Sequence, residues 1–168
     1  MTGEGAPDRP PLPPLARPRI VVTKGDRRLE LFDGDALVRT YGVALGADPV
    51  GTKLREGDRR TPEGVYYVCT RNAESRYHRA LGLSYPGTAD AGRGLRDGTI
   101  TQVQHDAIVA AIEAGARPPW DTPVGGEIMI HGNGAGRDWT LGCIALEDAD
   151  IAELFEAVRM GTPVEIRP

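Results

Sequence analysis

The sequence predicts a mainly β domain with two or so α-helices. Three observations carry that expectation. The 168 residues include 22 Gly and 14 Pro, enough turn-formers to break the chain into many short elements. Short apolar runs recur between Asp/Gly turns. Only two segments show helical spacing. The length suits about one domain, and such a chain buries roughly 70% of its unfolded surface, so it folds without disulfide or metal staples. A net charge of −4 gives no electrostatic footprint for nucleic acid.

From the N-terminus, residues 1–18 contain Pro10-Pro11-Leu12-Pro13-Pro14 and no apolar signal core. They read as a Pro-rich flexible arm or linker ahead of a domain at 19–168. Ile20-Val21-Val22, the stretch around Leu29 and Leu31, and Ala36–Leu45 are three strands separated by Gly25-Asp26 and Asp33-Gly34-Asp35, a meander. Gly46–Gly64 reads as a long loop. Val65–Thr70 is expected to be a buried strand with Tyr66, Tyr67 and Val68. Arg71–Thr99 reads as irregular, and a loop that long is usually functional. It holds His78 and Tyr85-Pro86-Gly87.

Thr101–Ala114 is the first helix, with Thr101 and Gln104 as a capping box and Gly115 as the stop. Val103, Ala107, Ala110 and Ala111 are its expected apolar face. Trp120 lies in the rigid turn Pro118-Pro119-Trp120-Asp121, where it serves packing. Glu127–His131 and Cys143–Leu146 are short strands. Asp148 is the expected N-cap of a second helix, whose Ile151, Leu154, Phe155 and Val158 fall at i, i+3, i+4 and i+7 before Gly161. Val164-Glu165-Ile166 is the last strand.

The chemistry concentrates between Ile130 and Leu146. A histidine ends one apolar strand, a glycine-rich loop follows, and Cys143 opens the next apolar run twelve residues later. A thiol is a strong nucleophile as its thiolate, and a nearby imidazole can take the proton. Gly142 leaves room for a carbonyl beside the backbone N–H groups of Leu141, Gly142 and Cys143, natural oxyanion donors worth ~3 kcal/mol each. The bland alternative is a buried Cys acting as a small hydrophobe beside a structural His. The pair lacks the short paired spacings of a zinc site, so no metal is expected. Arg137 and Asp138 suggest a local ion pair. Cys69, in a strand, reads as inert core, and a bridge between it and Cys143 is not expected.

These residues resemble the L,D-transpeptidase catalytic domain, also called YkuD-type. The likeness rests on His131-Gly132, Thr140-Leu141-Gly142-Cys143-Ile144 and Asp148. Upstream, Arg60-Thr61-Pro62-Glu63-Gly64-Val65-Tyr66, Gly46–Lys53 and Leu83-Ser84-Tyr85-Pro86 support it. The likeness spans roughly Arg19 to Ile166. It implies a β-sandwich-like fold and a Cys143 nucleophile with His131 as general base. It also implies that Gly132 orients the imidazole through its carbonyl and that Thr140 is a hydroxyl near the site. Trp139, His78 and Tyr85 are further candidates for contact with substrate, beside Leu141 and Gly142. Two positions depart from the commonest pattern: Leu141 stands where many members have His or a basic residue, and Ala145 where many have Arg. The Asp-Trp-Thr-x-Gly-Cys-Ile-Ala-Leu form is closer to the murein transpeptidase-like proteins of Gram-negative bacteria, some of which cleave bonds. The resemblance implies action on peptidoglycan tetrapeptide stems in the periplasm or cell envelope, acylation by carbapenems, and no cofactor. Hydrolysis at the same site, as L,D-carboxypeptidase or amidase, and a non-catalytic wall-binding module are the rival readings.

Overall fold

The computed structural model describes residues 9–168. Eight strands and three helices follow in the order β1 (Pro18–Thr23), β2 (Arg28–Asp33), β3 (Ala36–Gly42), β4 (Gly64–Ser75), β5 (His78–Leu83), α1 (Thr88–Arg96), α2 (Gln102–Glu113), β6 (Met129–His131), β7 (Ile144–Ala145), α3 (Asp148–Ala157) and β8 (Pro163–Arg167). The expected mainly β class is what the chain adopts.

The strands form one sheet in the order β3-β2-β1-β8-β4-β5-β6-β7. Strands β1 to β3 are the antiparallel meander that the Asp/Gly turns forecast. The last strand returns to lie parallel to β1 and antiparallel to β4, so the first and last strands lie side by side in the middle of the sheet. Beyond β3, Ala44 bridges Ala145 of β7 through reciprocal N–H···O bonds of 2.9 Å. This contact joins the two edges of the sheet.

Alternation explains the core. Ile20 and Val22, Leu29 and Leu31, and Val164 and Ile166 sit at i, i+2 positions and are buried on one face. The register sets Ile20 beside Val164 and Val22 beside Ile166. Ile130 and Ile144, in register on β6 and β7, join the same cluster with Ile151, Leu154 and Phe155 of α3. Each such side chain contributes roughly 1.5–3 kcal/mol by leaving water. A smaller cluster of Ala91, Ile100, Ile108 and Val124 holds α1 and α2.

Several expectations need correction. The stretch 71–99 is no loop: β4 runs on to Ser75, β5 pairs with it, and α1 follows. Residues Arg71–Glu74 are exposed and, apart from Ala73, polar, so no buried face marked the strand, and Gly92 and Gly94 weaken α1 as a sequence signal. Gly94 is there for packing, since a Cβ would lie 2.7 Å from Val124. Helix α2 has its capping box, with Gln104 N–H donating to Thr101 Oγ1 at 3.2 Å, but it buries Ile108, while Val103 is 79% exposed. The N-cap of α3 is Glu147, not Asp148. Part of the expected arm is not a free linker. Arg9 Nη2 meets Asp150 at 2.7 Å, and Leu15 is buried with Leu12 packed against the core. The rest of that arm, residues 1–8, lies outside the described residues.

The loop 46–63 is irregular as expected and is pinned from beneath. Buried Lys24 donates to the carbonyls of Gly51 and Thr61 at 2.9 and 2.7 Å and pairs with Glu63 at 3.1 Å.

Candidate active site

Parallel strands β6 and β7 place Ile130 beside Ile144 and His131 beside Ala145. Side chains alternate, so when Ile130 and Ile144 enter the core, Met129, His131 and Cys143 face the other way. That face opens onto a groove of about 660 Å³, and all three residues line it. His131 on β6 and Cys143, the residue just ahead of β7, are thus diagonal neighbours. The Met129 N–H donates to Cys143 Sγ at 3.4 Å, and the thiol donates to the Glu127 carbonyl at 3.4 Å.

The imidazole is fixed in one tautomer. Its Nδ1 lies 2.7 Å from the Gly132 carbonyl, which can only accept, so Nδ1 carries the proton and Nε2 is the free base. Gly132 cannot carry a side chain: a Cβ would fall 2.6 Å from Asp148 Oδ1 and 2.8 Å from the Tyr77 carbonyl. The first residues of α3 hold the loop after His131. Asp148 accepts from the Asn133 N–H at 2.8 Å, and Glu147 accepts from the Ala135 N–H at 3.0 Å. This is why Asp148 does not cap its own helix.

The turn into the cysteine is equally constrained. Thr140 Oγ1 donates to the Cys143 carbonyl at 2.7 Å and accepts from the Gly142 N–H at 3.1 Å. Gly142 has φ +139°, and a Cβ there would lie 2.7 Å from the Arg60 carbonyl. The Gly142 N–H, one of the three expected oxyanion donors, is therefore already engaged. The N–H groups of Leu141 and Cys143 have no hydrogen-bond acceptor among the described residues. Leu141 is 76% exposed at the groove.

Burial sets the electrostatics. It pushes the Cys143 thiol up to about 11, against the opposing pull of the Met129 N–H and the Lys53 ammonium. It lowers the His131 imidazole from its ordinary value, against the Gly132 hydrogen bond. The resting pair at neutral pH is thiol and neutral imidazole. Such a pair holds no standing thiolate.

Of the residues singled out in the sequence, His131, Gly132, Trp139, Thr140, Leu141, Gly142 and Cys143 come together here. Trp139 lines the groove, its Nε1 donating to the Gly134 carbonyl at 2.9 Å and its ring edge-on to His131 at 5.6 Å. The structure does not bring His78 or Tyr85 to this groove. His78 sits at the β4–β5 turn with φ +75°, exposed to solvent. Tyr85 is fully buried, donates to the Val124 carbonyl at 2.6 Å, and borders a separate cavity of about 530 Å³ with Asp90 and Arg93. Asp138 pairs with Arg27 at 2.7 Å rather than with Arg137, and also accepts from the Leu45 N–H. Trp120 is packing: its backbone and Cβ fill the space where Gly126 lacks a side chain. Cys69 is a buried free thiol on β4.

Sequence reasoning missed Tyr77, Met129, Glu127 and Lys53, all of which line the groove. Tyr77 stacks on His131, ring centroids 4.6 Å apart and planes at 23°. A hairpin register through Ser75 and His78 is the signal that finds it.

The sequence profile of the L,D-transpeptidase catalytic domain (YkuD) matches residues 17–166. Two Escherichia coli (strain K12) proteins carry names that point to the same family. YcfS is 31% identical over 170 residues, covering 92% of this chain and 45% of its own length. YafK is 26% identical over 146 residues, covering 83% of this chain and 46% of its own. The chain therefore spans less than half the length of the curated relatives it matches. Among solved structures, the helical cell shape determining protein Pgp2 from Campylobacter jejuni superposes with a TM-score of 0.62 at 21% identity, over 89% of this chain and 47% of that one. That likeness shows the fold. With a profile match over nearly its whole length, the chain belongs to the L,D-transpeptidase catalytic domain family.

Proposed function

We propose that this chain is a cysteine-dependent L,D-transpeptidase that acts on peptidoglycan tetrapeptide stems through a Cys143 acyl-enzyme, with His131 as general base. One observation carries the proposal: Cys143 and a His131 locked in the Nδ1–H tautomer open onto the same groove. The Leu141 and Cys143 N–H groups, which donate to no acceptor among the described residues, add to it.

His131 Nε2 takes the thiol proton as Sγ attacks the stem carbonyl that precedes the terminal D-alanine. The negative oxygen of the tetrahedral intermediate accepts from the Cys143 and Leu141 N–H groups. Collapse breaks the C–N bond, and the imidazolium returns its proton to the departing amine of D-alanine. A thioester remains. An incoming amine then attacks the thioester and gives its proton to His131; the C–S bond breaks, the imidazolium returns that proton to the sulfur, and the new amide is the crosslink or the attachment to a protein. The groove favours this order because the Thr140 hydrogen bonds fix the Cys143 backbone on which both sulfur and oxyanion depend. No cofactor enters the sequence. The substrate places the activity in the periplasm or cell envelope; among the described residues no helix is long and apolar enough to cross a membrane.

The test is intact mass after incubation with a carbapenem, then peptide mapping, then muropeptide products by mass spectrometry. An adduct on Cys143 and a crosslinked product support the reading. Cleaved stems without crosslinks show hydrolysis at the same site. A Cys143 that stays unmodified by both carbapenem and stem peptide favours a wall-binding module and ends the proposal.

A further inference from the structure

We infer that Tyr77, at the turn of the β4–β5 hairpin, is a positioning residue for His131; the inference rests on reading His131 as the general base. Two contacts from this one residue converge on the imidazole. The Tyr77 ring is stacked on the His131 ring at 4.6 Å and 23°. Its backbone carbonyl accepts the Gly132 N–H at 2.9 Å, and the carbonyl of the same Gly132 accepts the His131 Nδ1–H at 2.7 Å. The residue thus holds both the ring and the peptide that fixes the ring's tautomer.

The need for such a grip is physical. The terminal torsion of a histidine is broad and nearly two-fold, so a single hydrogen bond at Nδ1 leaves the ring free to swing. A stacked face and an edge contact remove that freedom. Tyr77 supplies the face, and Trp139 supplies the edge at 5.6 Å, itself tied to the Gly134 carbonyl. Tyr77 and Trp139 also meet each other at 5.7 Å, so the imidazole sits in a three-ring cluster with Nε2 as its one uncommitted nitrogen. When the thiol proton arrives, the face of Tyr77 stabilises the imidazolium that burial disfavours. The ring does this work. No hydrogen-bond partner for the Tyr77 hydroxyl exists among the described residues, so phenylalanine retains the function and a small aliphatic residue loses it.

The experiment compares the full chain with Tyr77→Phe, Tyr77→Leu and Tyr77→Ala. Acylation by imipenem, followed by intact mass over a concentration series, separates the maximal rate from the half-saturating concentration. Long-range ¹H–¹⁵N NMR reads the His131 tautomer. Tyr77→Ala and Tyr77→Leu lower the maximal rate about tenfold, leave half-saturation within threefold, and replace the Nδ1–H signal by an averaged one; Tyr77→Phe keeps more than half the rate. Tyr77→Leu covers the case in which the alanine variant does not fold. A loss of less than threefold in both aliphatic variants overturns the inference. So does an unchanged His131 tautomer, or a Tyr77→Phe as impaired as Tyr77→Ala. If the unmodified protein is not acylated at all, the catalytic reading fails instead, and the NMR comparison still decides whether Tyr77 orders His131.

Discussion

Thr140 and Cys143 are joined through one oxygen: Thr140 Oγ1 donates to the Cys143 carbonyl at 2.7 Å while it accepts from the Gly142 N–H at 3.1 Å. The hydroxyl closes the turn that leads into Cys143. Thr140→Val keeps the shape and leaves both backbone groups unpaired, at a cost of about 1–3 kcal/mol. Acylation of Cys143 falls at least tenfold in that variant, whereas Thr140→Ser retains most of it. Acylation kinetics with thermal melts check the pair, and an active Thr140→Val removes the hydroxyl from the account.

Gly142 is tested by stability. A left-handed backbone and a Cβ 2.7 Å from the Arg60 carbonyl make Gly142→Ala strained in both respects. The expected loss is about 2 kcal/mol or more, which lowers Tm by roughly 4–8 °C in a domain of this size. Denaturation curves measure it; an unchanged Tm refutes the packing described.

Cys143→Ala abolishes acylation with little change in melting temperature, because the side chain lines a groove rather than the core. His131→Ala lowers the rate ~10²-fold or more, as loss of a general base does. Cys69→Ser leaves the rate nearly intact, since Cys69 is buried on β4 away from the groove. Intact-mass rates decide all three, and a Cys69→Ser protein that folds but does not react shows that the nucleophile was misassigned.

The pH profile follows from the two burial shifts. His131 is lowered, so it remains a neutral base below the ordinary histidine range, and the acid limb of acylation falls below about pH 6.5. The thiol is raised to about 11, so alkylation of Cys143 by iodoacetamide rises steadily from pH 7 to 10 without a thiolate plateau near neutrality. Linkage gives a matching sign for stability. Below about pH 6.5 the unfolded state binds a proton at His131 that the folded state does not, so stability contributed by the neutral imidazole is fully present above about 6.5 and is lost as pH falls below it, through the lowered folded value. A plateau of alkylation at pH 7 contradicts the thiol–imidazole ground state.

The sequence made the core strands and the cysteine–histidine pair legible because each announces itself locally. Ile20-Val21-Val22 is a short apolar run ahead of a Gly-Asp turn, Val164 and Ile166 flank a polar Glu165, and Ile151, Leu154, Phe155 and Val158 keep helical spacing; these apolar residues are all buried. What escaped depends on pairing between distant segments. The outer half of β4 is polar on both faces and becomes a strand only through β5. Tyr77 gains its place from that hairpin. His78, one residue on, lies outside the groove because the turn exposes it. Asp148 reads as a helix cap by type, yet the Asn133 amide takes its carboxylate. Asp138 finds Arg27 across 111 residues, a partner that no local pattern names.

The bridge between Ala44 and Ala145 has a consequence for how the molecule breathes. A strand of two residues at the margin of a sheet ordinarily frays, and its amides trade hydrogen with solvent quickly. Here β7 is flanked on both sides, by His131 and by Ala44. The Ala145 and Leu146 amides donate to Ala44 and His131 at 2.9 and 2.8 Å, and slow exchange at both, read by hydrogen–deuterium NMR, is the expected outcome. The turn that ends at Cys143 thus runs directly into a strand held from both sides.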